Sequence, residues 1–178
     1  MPRNKIPISR QAEIERTIED ILLSTGMSYP ENSLIDIIKA TIPDVVLTES
    51  DFENKPSIRG AVFRKSKDYD HPLIAIQSKQ SGGAKTFALA HEFGHYVLDH
   101  NKSENYLIDT AVFDGGPLMQ DEGEANFFAA ALLMPRKLFR QLDQPFVTDD
   151  QLAKRFGVTP GAVRVRRDWL NYNGIGDE

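Results

Sequence analysis

Two histidines and a glutamate stand together in the run His91-Glu92-Phe93-Gly94-His95. A spacing of four residues puts both imidazoles on one face of a helix, about one turn apart. Held that way they can ligate one tetrahedral metal ion, and the adjacent Glu92 can reach a water bound to it. Zinc lowers the pKa of such a water toward about 7, and a carboxylate then takes its proton as it attacks a polarised carbonyl. This is the reaction core of a zinc-dependent peptidase, with His91 and His95 as ligands and Glu92 as catalytic base. The plain alternative is a pair of core histidines, but imidazoles are expensive to bury unpaired in an apolar helix.

A catalytic zinc takes three protein ligands and keeps a fourth position open. Carboxylates for the third place occur in Asp121-Glu122-Gly123-Glu124-Ala125-Asn126. Glu124 lies one turn before Phe127 and Phe128 and two before Ala131, on the stripe that packs inward. A carboxylate on that stripe needs a positive partner, so Glu124 is the expected third ligand. Glu122, on the flank with Ala125 and Asn126, is the alternative, although a first-turn acid also suits the helix dipole. Two histidines and a carboxylate accept manganese or iron as well as zinc. Asp99, four residues past His95, is a candidate acceptor for that ligand's second ring proton. His100 fits a helix C-terminus. The oxyanion donor is open among Tyr106, Arg136 and His71.

The elements that must position these groups follow from periodicity. Residues 84–100 form a helix that is apolar nearly all round, so it belongs in the middle of a fold. A second largely apolar helix covers residues 120–134 and is stopped by Pro135. Helical spacing also marks residues 9–23, 33–40 and 136–142, and residues 148–170 hold two helical segments broken at Gly157. Short runs rich in Val, Ile and Phe at 44–47, 60–64 and 73–77 read as strands. The strand at 73–77 could be the sheet edge that pairs with an extended substrate, or an ordinary interior strand. Residues 101–116 are polar and read as a long irregular connection that could cover the cleft.

Composition narrows the classes. The 178 residues suit one domain with a small appendage, and an apolar fraction of 40% is enough for a core. Without cysteine, thiolate catalysis, disulfides and Cys-based zinc sites are excluded. A net charge of −5 argues against a protein that coats nucleic acid. The longest apolar run, residues 127–134, is far short of a membrane span, and no signal sequence is visible, so a cytoplasmic protein is expected.

The metal run is followed by Glu122-Gly123-Glu124-Ala125-Asn126-Phe127-Phe128-Ala129-Ala130 and then by Leu132-Leu133-Met134-Pro135. Together these segments resemble the ImmA/IrrE family of metallo-endopeptidases. The resemblance extends back through Phe87-Ala88-Leu89-Ala90 and Ile74-Ala75-Ile76, and forward to Leu152-Ala153-Lys154-Arg155-Phe156-Gly157-Val158. It implies a zincin-like fold with a Glu as third ligand. It also implies a role, cleavage of a helix-turn-helix repressor to switch on mobile-element or stress genes. The first 50 residues share only helical character with the family. The expected organisation is therefore an α+β, zincin-like peptidase domain over residues 1–145, its first 45 residues helical. Its small mixed sheet packs on the buried metal helix, and residues 146–178 form a helix-turn-helix-like tail.

Two rivals remain. A metal-stabilised toxin or antitoxin partner would bind without cutting. A DNA-binding regulator would read DNA through the tail, with Arg164, Arg166 and Arg167 on its second helix. The tail's basic surplus is weak for phosphate contact, which favours structural or partner-docking use.

Overall fold

The computed structural model describes residues 6–52, 58–67, 70–80, 82–100 and 117–172. Among them are seven helices and a three-stranded sheet, an α+β arrangement. Helix α1, Ile8–Thr25, buries Gln11, Ile14, Ile18 and Ile21, a spacing of three and four residues that makes one inward stripe. Helix α2, Leu34–Thr41, starts at Ser33, whose hydroxyl accepts from the Asp36 amide and satisfies a donor the helix leaves free.

Strands β1 (Val46–Ser50), β2 (Gly60–Phe63) and β3 (Leu73–Gln77) lie in the order β1-β3-β2. β3 runs parallel to β1 and antiparallel to β2, so it is the central strand. Its place as a candidate edge is thereby corrected: Ile74, Ala75, Ile76 and Gln77 are all buried, as a strand covered on both faces requires. β1 begins two residues later than its apolar pattern suggested, where the Val46 amide donates to Pro72 just before β3.

Helix α3, Gly82–Val97, carries the two histidines, and α4, Pro117–Leu133, packs against it more extensively than any other pair of elements. α4 is the more central of the two. From Phe127 to Leu133 every side chain is buried, leaving no outward face by which to orient it from sequence. Three shorter helices close the chain: α5 (Arg136–Leu142), α6 (Asp149–Phe156) and α7 (Pro160–Tyr172). Leu152, Phe156, Val163 and Leu170 join the same hydrophobic cluster as Ile14, Phe93 and Phe128.

The α6–α7 unit is seated closely on α3. A Cβ built on Gly83 would lie 2.2 Å from the main-chain carbon of Val158, so only glycine permits this approach. Gly83→Ala should force backbone movement costing about 1–3 kcal/mol. For a chain of this size that is a fall in Tm of roughly 2–10 °C, readable by calorimetry. An unchanged Tm would mean that the two segments do not meet this way.

The three tail arginines are committed within the chain. Arg166 is 1% exposed; its Nε donates to the Met134 carbonyl at 3.0 Å and its Nη2 meets Glu15 at 3.4 Å. Burial pulls its pKa down to about 10, with Glu15 opposing. Arg167 pairs with Asp143 and Asp149, and Arg164 with Asp149. Among the described residues no helix is long and apolar enough to cross a membrane.

Candidate metal centre

The face of α3 that meets α4 brings His91 and His95 together with Glu122. His91 Nε2 and His95 Nε2 are 3.0 Å apart, and the Glu122 carboxylate oxygens stand 3.2 Å and 3.0 Å from them. Two ring nitrogens and a carboxylate converge on one point, a separation close to the roughly 3.3 Å edge of a tetrahedron with bonds of about 2 Å. Two imidazole lone pairs aimed at each other repel unless a cation or a proton lies between them. The donor set therefore suits a divalent metal, and the cluster fits a zincin-like site.

The geometry sets Glu122, and not the expected Glu124, against the two ring nitrogens. Glu124 is buried on the inward stripe, as its position suggested, but its positive partner is Arg10 of α1. Arg10 Nε and Nη2 donate to Glu124 Oε2 at 2.9 Å and 2.7 Å, and Gln120 donates to Oε1. Burial alone would raise the Glu124 pKa, but these bonds, Arg10 first, hold it below the usual carboxylate range. The flank that Glu122 shares with Asn126 is the one that faces α3.

Each histidine is oriented by a second partner. His91 Nδ1 lies 3.0 Å from the Asn126 side-chain oxygen, to which its N–H donates, leaving Nε2 free to ligate. His95 Nδ1 lies 3.0 Å from His100 Nδ1, and His100 Nε2 lies 3.3 Å from Glu124 Oε2. With His95 Nε2 on a metal, its Nδ1–H donates to His100, and the His100 Nε2–H donates to Glu124. One chain of bonds thus runs from a ligand through His100 and Glu124 to Arg10. Asp99, the candidate for the His95 contact, has φ 62° and turns instead to Arg64, 3.2 Å away. Arg64 also donates to the Tyr96 carbonyl at 2.6 Å and so caps the end of α3. The sequence reading missed Arg64 and Asn126; only the latter had a local signal, one turn after Glu122 and directly before the apolar run.

Glu92 is 4% exposed beside the cluster, and its Oε2 is buried without a hydrogen-bond partner. Burial pushes its pKa up to about 7, His91 opposing and Glu122 adding to the rise. Burial would likewise raise Glu122, but its bonds to His91 and His95 outweigh that and hold it near 2. Burial lowers both histidines and prevails at His95, whereas at His91 the Glu122 bond, the charges of Glu92 and Glu122 and the Asn126 bond together outweigh it and raise the pKa.

Strand β2 presses directly on Glu92. A Cβ on Gly60 would lie 2.6 Å from Glu92 Cγ and 2.7 Å from its Oε1. Gly60→Ala should therefore displace the Glu92 carboxylate without touching a ligand. With Glu92 as the expected base, the result should be a loss of activity of about 10²-fold, the cost of a catalytic group misplaced by an ångström, with metal content unchanged. Full activity in that variant would show that Glu92 moves aside harmlessly.

Of the candidate oxyanion donors, Arg136 is held by Glu15 at 2.8 Å and His71 is exposed before β3, and neither lines the cavity at the centre. Tyr106, like the expected connection over 101–116, lies outside the described residues.

The chain belongs to the peptidase family with the IrrE N-terminal-like domain, whose model matches residues 41–167. No curated protein shows significant similarity to it. Among solved structures, a Mycobacterium tuberculosis transcriptional regulator superposes with a TM-score of 0.59 at 21% identity, a likeness of fold. That match covers 90% of this chain and 48% of the other, so the chain spans about half the length of that structure.

Proposed function

We propose that this chain is a zinc-dependent endopeptidase whose ligands are His91, His95 and Glu122 and whose catalytic base is Glu92. The observation that carries the reading is the convergence of three metal-type donors beside a buried carboxylate with an unpaired oxygen. Manganese or iron suits the same donor set. A bound divalent metal supplies Lewis acidity for a peptide carbonyl and an acidified water. Glu92 accepts the proton of the attacking water through Oε2 and returns it to the amine that leaves when the C–N bond breaks. Asn126 and His100 keep the two imidazoles turned so that Nε2 faces the centre.

The substrate we propose is a helix-turn-helix repressor in the cytoplasm, cut to release mobile-element or stress genes. The family match supports the peptidase part, and likeness of fold to a transcriptional regulator of M. tuberculosis is consistent with work on transcription. We read residues 146–178 as a helix-turn-helix-like tail with a structural use. The family match runs into it, and Arg164, Arg166 and Arg167 are engaged within the chain, which disfavours DNA reading. A purely structural metal site, as in a non-cutting toxin or antitoxin partner, gives Glu92's unpaired oxygen no purpose.

The test is cleavage of a helix-turn-helix repressor from the same organism. Zinc-loaded protein should cut it, chelation should stop the cutting, and added zinc should restore it. Metal binding that raises Tm with no product under any of these conditions rejects the peptidase reading.

A further inference from the structure

A metal-bound imidazole keeps its ring turned by donating its second N–H to an acceptor, most simply a carboxylate or a main-chain carbonyl. His91 has an amide oxygen for this in Asn126, but the group that faces His95 is another imidazole, His100 at 3.0 Å. An imidazole nitrogen donates or accepts according to where the ring proton sits. His100 therefore serves His95 only with its proton on Nε2, and a group beyond it must hold that form. Glu124 is placed to do so: its Oε2 lies 3.3 Å from His100 Nε2 and, as a carboxylate oxygen, only accepts. Asp121, 3.9 Å from the same nitrogen, is beyond hydrogen-bond reach. Oε2 is in turn fixed from α1. Arg10 Nε and Nη2 both donate to it, at 2.9 Å and 2.7 Å, while Gln120 takes Oε1 at 3.0 Å. The His100 and Glu124 side chains are only 6% and 4% exposed, so water has little access with which to replace the guanidinium. α1 is also seated without this contact, since Ile14, Ile18 and Ile21 are buried and Glu15 holds Arg136 and Arg166.

We propose that Arg10 is a positioning residue of the metal centre, acting through Glu124 and His100 on the direction in which His95 presents Nε2. This rests on His91, His95 and Glu122 being the ligands, as proposed above. Arg10 fixes where Oε2 stands, and Oε2 takes the His100 Nε2–H. His100 Nδ1 is then left to accept from His95 Nδ1–H, and His95 Nε2 is left to the ion. Two donors aimed at one oxygen are what a guanidinium fork supplies and a single ammonium copies only in part. The second bond of Arg10, to the exposed Glu13, has no place in this chain.

Zinc affinity of the full chain, read without substrate by competition with a chromophoric chelator, should fall by about 10–100-fold in Arg10→Met, the usual cost of disturbing a ligand's support. Arg10→Lys should lose less, and Glu13→Gln should match the parent. A double-mutant cycle tests the route. Once His100→Ala has cut the chain of bonds, Arg10→Met should change the affinity by no more than about twofold. A merely structural contribution of Arg10 would remove the same factor in either background. The imidazole nitrogen NMR spectrum of the zinc-loaded parent should show His100 protonated at Nε2 alone, and Arg10→Met should mix the two ring forms. Should Arg10→Met fail to fold, Arg10→Lys carries the same cycle and the same spectrum. Parent-like affinity in the folded variant, an undiminished effect in the His100→Ala background, or an unchanged His100 spectrum overturns the proposal. A harmless Arg10→Met beside a zinc-deficient His91→Ala overturns it alone and leaves the ligands standing. Zinc retained in full by both His91→Ala and Glu122→Ala overturns the ligand set, and this proposal with it.

Discussion

Glu92→Gln should keep a full complement of metal and lose peptide-bond cleavage by about 10²–10⁴-fold, the range that a positioned proton-transfer group supplies. The amide has the shape of the carboxylate but cannot take a proton from water. Because Glu92 Oε2 makes no hydrogen bond, the replacement breaks none there, and the close fit beneath Gly60 is preserved. Neither His91 nor His95 depends on Glu92 for its orientation, since Asn126 and His100 provide it. Stoichiometric metal analysis beside steady-state kinetics separates the two quantities. Activity within a few-fold of the parent would mean that the base is another group; loss of metal would mean that Glu92 supports the ligands.

The second large effect separates two glutamates two positions apart. Glu122→Ala removes a carboxylate that meets both ring nitrogens and leaves only the two imidazoles. Metal should then be lost on dialysis, and activity with it. Glu124→Gln removes no donor from the centre. It replaces an acceptor shared by Arg10 and His100, so metal affinity should fall by about 10–100-fold, the usual cost of disturbing a ligand's supporting partner. Isothermal titration with zinc ranks the two. A larger loss at Glu124 than at Glu122 would restore Glu124 as the ligand and refute the arrangement described above. In the parent protein the affinity should improve as pH rises through the histidine range, because a metal competes with protons for the same nitrogens and His91 is held above its ordinary value.

The case of Glu124 marks how far the sequence could be read. Helical spacing correctly set His91 and His95 on one face and correctly put Glu124 on the buried stripe of α4. The physical demand was also right: a buried carboxylate needs a cation. What spacing could not disclose was which cation, because the guanidinium comes from Arg10, 114 positions away. α4 is buried around its whole girth from Phe127 on, so nothing local said that the flank with Glu122 and Asn126 would face α3. The same limit explains β3. Its apolar residues identify a strand, and whether that strand is an edge depends on pairings with β1 and β2 made elsewhere. The extents of the helices were nearer the surface of the sequence, since Ser33, Gly26, Pro135 and Gly157 end or begin them by local chemistry.

Arg10 lies outside the stretch that matches the family, residues 41–167, yet through Glu124 and His100 it is joined to a candidate ligand. Any free energy that docking of α1 contributes to metal affinity is, by linkage, returned in full to the docking when metal binds. The first helix and the ion are then reciprocal effectors of one another. Whatever pulls α1 away loosens the ion by the same factor by which the ion holds α1 down, so the occupancy of the centre doubles as a measure of whether the amino-terminal helix is in place.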